Sequence, residues 1–153
     1  MGEVFRAHDP ELQRRVAIKV LAMSAAPEPS VLRRFLAEAQ ITAQLMHPSV
    51  VPVHDIGVSE DGLVYYVMKE ISGITLHDVL AGLRAGDPEM VRSWTRQRLL
   101  SSFVRICEGI AYSHRRGVLH RDLKPSNLMF GDFGEVYVLD WGIARRIHDV
   151  VNE

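Results

Sequence analysis

Short runs of alternating apolar and polar positions occupy the first half of the chain. Residues 14–23 (RRVAIKVLAM) are rich in β-branched side chains, which predicts a strand. The runs VVPVHDIGV and LVYYVMKEI, joined by the turn sequence SEDG, predict a hairpin. Between the first strand and this hairpin, apolar residues at three-and-four spacing predict a helix over residues 31–46. Ser30 is expected to cap this helix and Pro48 to end it. The apolar stripe of this helix consists of Leu32, Phe35, Leu36 and Ala39.

Helical patterns dominate the second half. A short helix is expected around residues 76–83, and the polar segment RAGDPEMVRSW, with Gly86 and Pro88, predicts a loop. The strongest helical pattern covers residues 95–115, and Gly117 can supply its left-handed stop. The predicted core stripe of that helix consists of Leu99, Leu100, Phe103, Cys107, Ile110, Ala111 and His114.

Two further short strands are expected near residues 128–130 and 136–139, separated by GDFGE. Strands with one helix therefore come first, and mainly helix with a small hairpin follows. This order predicts an α+β fold with two lobes that join near residues 70–73.

Composition excludes several classes of protein. The 153 residues are 47% hydrophobic and 24% charged, with a formal net charge of −1, so no overall basic field favours nucleic acid or a membrane surface. No apolar run is long enough to span a bilayer, and any membrane anchor of a longer parent protein is expected outside this segment. The single cysteine, Cys107, excludes an internal disulfide and fits a cytoplasmic location, with packing as its expected role.

The loop HRDLKPSNLMF concentrates polar side chains that suit phosphate chemistry. Asp122, Lys124 and Asn127 stand at offsets 0, 2 and 5, and Pro125 stiffens the backbone between them. An aspartate can orient a hydroxyl or accept its proton, a lysine can neutralise a phosphoryl oxygen, and an asparagine oxygen can bind magnesium. Asp140, directly after the last predicted strand, can also hold magnesium through its carboxylate. Together these residues indicate phosphoryl transfer.

These motifs resemble those of the eukaryotic-like Ser/Thr protein kinases, especially the bacterial members. HRDLKPSN is similar to the catalytic loop, LDWG to the family's D-F-G, and VAIK to the strand motif whose lysine touches the ATP phosphates. The resemblance implies that Asp122 is the catalytic acid/base, Lys124 stabilises charge, and Asn127 and Asp140 bind Mg²⁺. It also implies that Lys19 contacts ATP. Trp141 replaces the usual phenylalanine, and its apolar packing role is expected to survive.

The resemblance extends to the rest of the nucleotide site. It implies that Glu38, rather than Glu28, pairs with Lys19, and that Met68 is the gatekeeper before a hinge whose backbone faces adenine. His120 is expected to tie the catalytic loop to the core rather than to shuttle protons. The hinge residues are Lys69, Glu70 and Ile71, and the apolar residues expected around adenine are Val4, Ala17 and Leu128.

The kinase pattern is incomplete at both ends. Residues 1–71 correspond to a partial N-lobe with most of its antiparallel sheet, helix C and the hinge, and residues 72–153 correspond to the start of the helical C-lobe. Only the last G-x-V of the glycine-rich loop is present, at Gly2 and Val4, and no A-P-E motif follows Gly142. We therefore expect a fragment of a longer kinase, poorly active and poorly soluble as an isolated chain.

Two alternatives to a protein kinase remain open. One is a small-molecule phosphotransferase of related fold, against which Arg121 and the LKPSN sequence argue. The other is a non-catalytic pseudokinase that acts as a binding module, although the lysine, both aspartates and the asparagine are all present. The protein kinase reading implies ATP and Mg²⁺ as cofactors and a protein with a Ser or Thr hydroxyl as substrate.

Overall fold

The computed structural model describes residues 2–21 and 28–146. Its residues form two compact units. The first contains Met1–Met46 and Val51–Ile71, and the second contains His47–Val50 and Ser72–Glu153. Both units combine helices with antiparallel strands, so the α+β prediction is confirmed. No helix among these described residues is both long and apolar enough to cross a membrane.

A four-stranded antiparallel sheet and one helix form the part of the first unit that the structure describes. The strand order is β1-β2-β4-β3, and the predicted hairpin is its β3–β4 pair. The buried core lies between sheet and helix, as the alternating strands and the three-and-four helical stripe require, and is formed by Leu21, Phe35, Ala39 and Tyr66. The elements are β1 (Glu3–Asp9), β2 (Arg14–Val20), α1 (Pro29–Gln44), β3 (Val53–Val58) and β4 (Val64–Lys69).

Two features of this unit differ from the sequence prediction. Strand β1 was not predicted; it pairs with β2 along its whole length, from Glu3 opposite Val20 to Asp9 opposite Arg14. Helix α1 begins two residues earlier than expected, so Ser30 is not its cap. Glu28 occupies the cap position without a side-chain cap hydrogen bond, and a proline at the first helical position fixes the starting backbone angle.

The described part of the second unit contains three helices and two small sheets. Strands β5, β7 and β8 form one sheet, and β6 pairs with β9. Ser49 and Val50 join the first of these sheets, since Val138 donates its N–H to the Ser49 carbonyl at 2.8 Å. The elements are β5 (Gly73–Thr75), α2 (Leu76–Ala85), α3 (Pro88–Ser93), α4 (Arg96–Arg115), β6 (Val118–Leu119), a 3₁₀ turn (Pro125–Asn127), β7 (Leu128–Gly131), β8 (Val136–Val138) and β9 (Arg145–Arg146).

The loop predicted between the helices that correspond to α2 and α4 is wrong, because a short helix, α3, forms there. Asp87 caps it, accepting the N–H groups of Glu89 at 2.8 Å and Met90 at 3.2 Å, and Pro88 stands at the first position. Proline at this position favours a helix start, whereas the sequence analysis treated it as a breaker. Gly86 ends α2 with a φ of 70°.

The predicted core stripe of α4 is also largely wrong. Leu100 and Phe103 are 55% and 61% exposed, and Cys107, expected to pack, is exposed as well. The buried face instead carries Ile106, Gly109 and Ser113. A Cβ at Gly109 would lie 3.0 Å from the Ser49 side chain, so the neighbouring segment approaches too closely for larger residues. Of the remaining predicted stripe, Leu99 and Ile110 are half-buried, and Ala111 and His114 are exposed.

Candidate active site

An ion pair lies inside the first unit. Lys19, on the central strand β2, places its Nζ 2.5 Å from Oε1 of Glu38, which lies on α1. Their side chains are 16% and 9% exposed, so both charges are largely removed from water. A buried charge without a partner is costly, and the pairing satisfies both groups. The structure thus brings together the two residues that the kinase resemblance pairs, while Glu28 precedes the helix and is exposed.

A third group completes this cluster. The Tyr66 hydroxyl, from β4, donates to the same Glu38 Oε1 at 2.9 Å, and Tyr66 is only 4% exposed. Sequence analysis missed this residue as a site candidate. A tyrosine at a buried strand position was the available signal, because a buried phenol usually needs a hydrogen-bond partner.

The sheet register places other candidate nucleotide-binding residues on the face that carries Lys19. Val4 is opposite Lys19, and Ala17 is opposite Met68, and directly opposed residues of antiparallel strands share a face. Alternation along β2 puts Ala17 and Lys19 on the same side. Ala17 is buried, Met68 is half-buried and Val4 is 57% exposed. This face therefore carries apolar side chains beside one ammonium group.

The candidate hinge follows the end of β4. Lys69, whose side chain is exposed, donates its backbone N–H to the Pro52 carbonyl at 3.0 Å. That donor is committed within the unit, so adenine recognition through N–H groups would fall to the residues beyond the strand. These are Glu70 and Ile71, both half-buried. The Glu70 carboxylate pairs with Arg6 at 3.0 Å.

In the second unit, the catalytic-loop residues lie in direct contact. Lys124 Nζ donates to Asp122 Oδ2 at 2.7 Å, and Asn127 Nδ2 donates to that oxygen at 3.1 Å and to the Asp122 carbonyl at 2.9 Å. The hydrogen bond from Lys124 is the main reason that the pKa of Asp122 lies below its ordinary value. The same bond raises the pKa of Lys124. The cluster thus favours a carboxylate and an ammonium side by side.

The buried side chains of His120 and Trp141 pack next to this loop. His120 is 1% exposed; its Nε2 lies 2.9 Å from the Leu139 carbonyl, and its Nδ1 accepts the Asp122 N–H at 3.3 Å. These partners assign the proton to Nε2. The Trp141 ring lies 4.5 Å from that of His120, and its Nε1 donates to the Val138 carbonyl at 3.2 Å. Trp141 is 2% exposed, so it is packed as expected.

Asp140 and Leu128 flank the same loop along the chain. Leu128 is 8% exposed and follows Asn127 at the start of β7, and the backbone carbonyl of Asn127 accepts the Leu139 N–H at 2.8 Å. Asp140 is exposed, with a φ of 58° that non-glycine residues rarely adopt. Its Oδ1 accepts the Gly142 N–H at 3.3 Å. This left-handed backbone turns the chain sharply just after β8.

The donor set of the second unit suits magnesium better than zinc. Within residues 2–21 and 28–146, no three His, Cys, Asp or Glu side chains form a cluster able to hold a metal ion. Asn127 commits its amide nitrogen to Asp122, which leaves the amide oxygen as an acceptor. An amide oxygen and the Asp140 carboxylate are hard ligands, and magnesium usually takes one or two such protein ligands and completes its shell with water and phosphate oxygens.

Comparisons with known proteins agree with these features. A family model described as "Protein kinase domain" matches residues 1–152. The serine/threonine-protein kinase PknD of Protochlamydia amoebophila is 40% identical over 151 residues, which cover 96% of this chain and 15% of that relative. The PknD proteins of Chlamydia pneumoniae and Chlamydia abortus are 46% and 44% identical over 147 residues, covering 94% of this chain and 16% of each relative. The chain therefore spans only 15–16% of these relatives, and it belongs to the protein kinase domain family.

Proposed function

We propose that this chain is part of the catalytic domain of a Ser/Thr protein kinase, which transfers the γ-phosphoryl group of ATP to a protein hydroxyl. The observation that carries the proposal is the contact cluster of Asp122, Lys124 and Asn127. Relatives that bear the name serine/threonine-protein kinase support the same activity. The small-molecule phosphotransferase and the pseudokinase remain the alternatives for the test below.

Asp122 would act on the substrate hydroxyl. Its lowered pKa keeps it as a carboxylate at neutral pH, able to orient the hydroxyl and accept its proton. Lys124 stays an ammonium because its pKa is raised, and it can offset charge on a phosphoryl oxygen. Asn127 donates to the same Asp122 oxygen as Lys124, which limits the freedom of the Asp122 side chain before substrate arrives.

The residues proposed for the nucleotide and its metal ion are considered within each unit. Lys19, kept in place by Glu38, is suited to a phosphate oxygen, and Asn127 and Asp140 are suited to Mg²⁺. When bound, Mg²⁺ neutralises charge on the phosphate oxygens. The apolar residues proposed for adenine are Val4, Ala17, Met68 and Leu128, with hinge backbone from Lys69, Glu70 and Ile71.

The division of the chain is part of the same proposal. Residues 1–71 would form a partial N-lobe with its hinge, and residues 72–153 a partial C-lobe through the DWG motif. A cytoplasmic location is proposed for this segment, because its substrate ATP is plentiful there and its one cysteine fits a reducing compartment.

The test compares Asp122→Asn with Asp132→Asn in the full-length protein that contains this segment. Asp132 is exposed in the turn between β7 and β8, so it is a matched control. With ATP, Mg²⁺ and a generic protein substrate, Asp122→Asn should lower kcat about 10²- to 10⁴-fold, as expected for loss of an acid/base group. Asp132→Asn should retain wild-type activity.

Three outcomes would contradict this proposal. Wild-type protein that phosphorylates an aminoglycoside but no protein would favour the small-molecule phosphotransferase. Nucleotide binding without any turnover would favour the pseudokinase. Equal activity of Asp122→Asn and wild type would remove Asp122 from the chemistry.

A further inference from the structure

The Glu38 carboxylate receives one donor from each of two neighbouring strands. Lys19 Nζ comes from β2 and the Tyr66 hydroxyl from β4, and both reach Oε1, at 2.5 Å and 2.9 Å. The register places Lys19 directly opposite Tyr66, so the two donors lie side by side on one face of the sheet. Lys19 Nζ is also 5.8 Å from the centroid of the Tyr66 ring.

The Tyr66 side chain is itself fixed. Tyr66 is 4% exposed, and its ring lies 5.2 Å from that of Phe35, one turn before Glu38 on α1. On the acceptor side, Thr42 donates its hydroxyl to the Glu38 backbone carbonyl at 2.7 Å. The hydroxyl of Tyr66 is therefore a preset donor rather than a group that happens to be nearby.

A second donor matters because Lys19 has two possible anions. If Lys19 turns toward a nucleotide phosphate, the buried Glu38 carboxylate loses part of its compensation, and an uncompensated buried charge is costly. Hydrogen bonds to charged groups are stronger than neutral ones, so the Tyr66 hydroxyl can hold the Glu38 carboxylate in place while Lys19 is shared. A lysine with a fixed glutamate in turn stays aligned for the phosphate.

We propose that Tyr66 is a positioning residue of the nucleotide site, whose hydroxyl holds Glu38 in place for Lys19. This proposal deepens the kinase function above and rests on it. It assigns to Tyr66 no contact with ATP or protein substrate. Removal of the hydroxyl should therefore change the handling of ATP and leave recognition of the protein substrate alone.

The test compares Tyr66→Phe with Tyr65→Phe in the full-length kinase. Tyr65 precedes it on β4 with its side chain on the opposite face, and its ring lies against Gly57, so Tyr65→Phe removes an equivalent hydroxyl away from Glu38. Tyr66→Phe should lower kcat/KM for ATP about tenfold or more, as expected for loss of a hydrogen bond to a charged group. KM for the protein substrate should stay unchanged, and Tyr65→Phe should match wild type in both.

A double-mutant cycle separates positioning from general packing. In a Glu38→Gln background, Tyr66→Phe should cost less than threefold in kcat/KM for ATP, because the charged acceptor is gone. An equal penalty in both backgrounds, or equal losses for the Tyr65 and Tyr66 variants, would overturn the proposal. If Tyr66→Phe does not fold, Glu38→Gln alone decides: a KM for ATP equal to that of wild type would overturn it.

Failure of this proposal is distinguishable from failure of the proposed function. A wild-type protein that phosphorylates proteins while Tyr66→Phe equals it in ATP kinetics keeps the function and removes the role of Tyr66. If wild type transfers no phosphoryl group, the kinase function fails. Nucleotide affinity then tests Tyr66 directly: Mg²⁺·ATP should bind Tyr66→Phe about tenfold more weakly than Tyr65→Phe, and equal binding would overturn the role.

Discussion

Replacing the buried His120 by glutamine should remove a pH-dependent part of the protein's stability. Burial is the main cause that lowers the pKa of His120 below 6.5, and the Leu139 carbonyl and the nearby Asp140 and Asp122 charges only partly oppose it. Between the lowered folded-state pKa and about pH 6.5, the unfolded chain therefore binds more protons at this imidazole than the folded protein does. The stability contributed by neutral His120 is complete above about pH 6.5 and is lost as the pH falls toward the folded-state pKa.

The magnitude follows from this proton difference. One proton bound only by the unfolded state changes the free energy of unfolding by about 1.4 kcal/mol per pH unit. That slope is the maximum for His120 and is expected between its folded-state pKa and about pH 6.5. His120→Gln should also cost about 1–3 kcal/mol at pH 8, because the Asp122 N–H loses its acceptor at Nδ1.

The assay is urea unfolding at pH values from 5 to 8, followed by tryptophan fluorescence, with Trp141 beside the imidazole. His114→Gln, on the exposed side of α4, is the matched control and should keep the wild-type slope. His54 also has a pKa lowered by burial, but it is present in every variant and cancels in the difference. Parallel stability curves for wild type and His120→Gln between pH 5 and 6.5 would refute the reasoning.

Three further predictions follow from individual contacts. Gly73→Ala should destabilise the protein by about 2 kcal/mol or more, because the φ of Gly73 is 149° and a Cβ there would collide with the Phe130 carbonyl oxygen. The control Gly62→Ala, with open space around the added Cβ, should cost about 1 kcal/mol in the same unfolding assay. Thr95→Ala should cost about 1 kcal/mol by removing the acceptor for the Arg98 N–H at the start of α4, and an unchanged melting temperature would contradict this. Lys124→Ala should lower kcat at least tenfold while the melting temperature stays within a few degrees of wild type, because its side chain is half exposed; unchanged kcat would exclude its proposed role.

The sequence was most informative where one local rule decides the outcome. Alternation and a turn sequence predicted the β3–β4 hairpin, and three-and-four spacing predicted α1. It failed on α4, where hydropathy selected Leu100 and Phe103. The buried residues are Ile106, Gly109 and Ser113, and Ser49 lies close to Gly109. Glycine and serine give no strong hydropathy signal, so the buried face of α4 could be identified only from how closely the neighbouring segment packs against it.

The candidate site shows a similar limit. The spacing of Asp122, Lys124 and Asn127 suggested one cluster, and the structure brings all three into hydrogen-bond contact. The partner of Lys19 was chosen between Glu38 and Glu28 by resemblance rather than by local rules. Tyr66 was missed because the partner of a buried hydroxyl is set by sheet register, which a single sequence does not specify.

The short segment around Ser49 also constrains how the chain can fold. Val138 pairs with Ser49 and Val50 across a long stretch of intervening sequence, so its ladder bonds close a large loop. Contacts between distant residues slow folding, because the entropy of loop closure is lost before the contact forms. During synthesis, Ser49 must wait for β8 to emerge, and a piece cut at Ser72 would lack the carbonyl that Val138 needs. The second unit is thus completed only after two distant parts of the chain have both been synthesised.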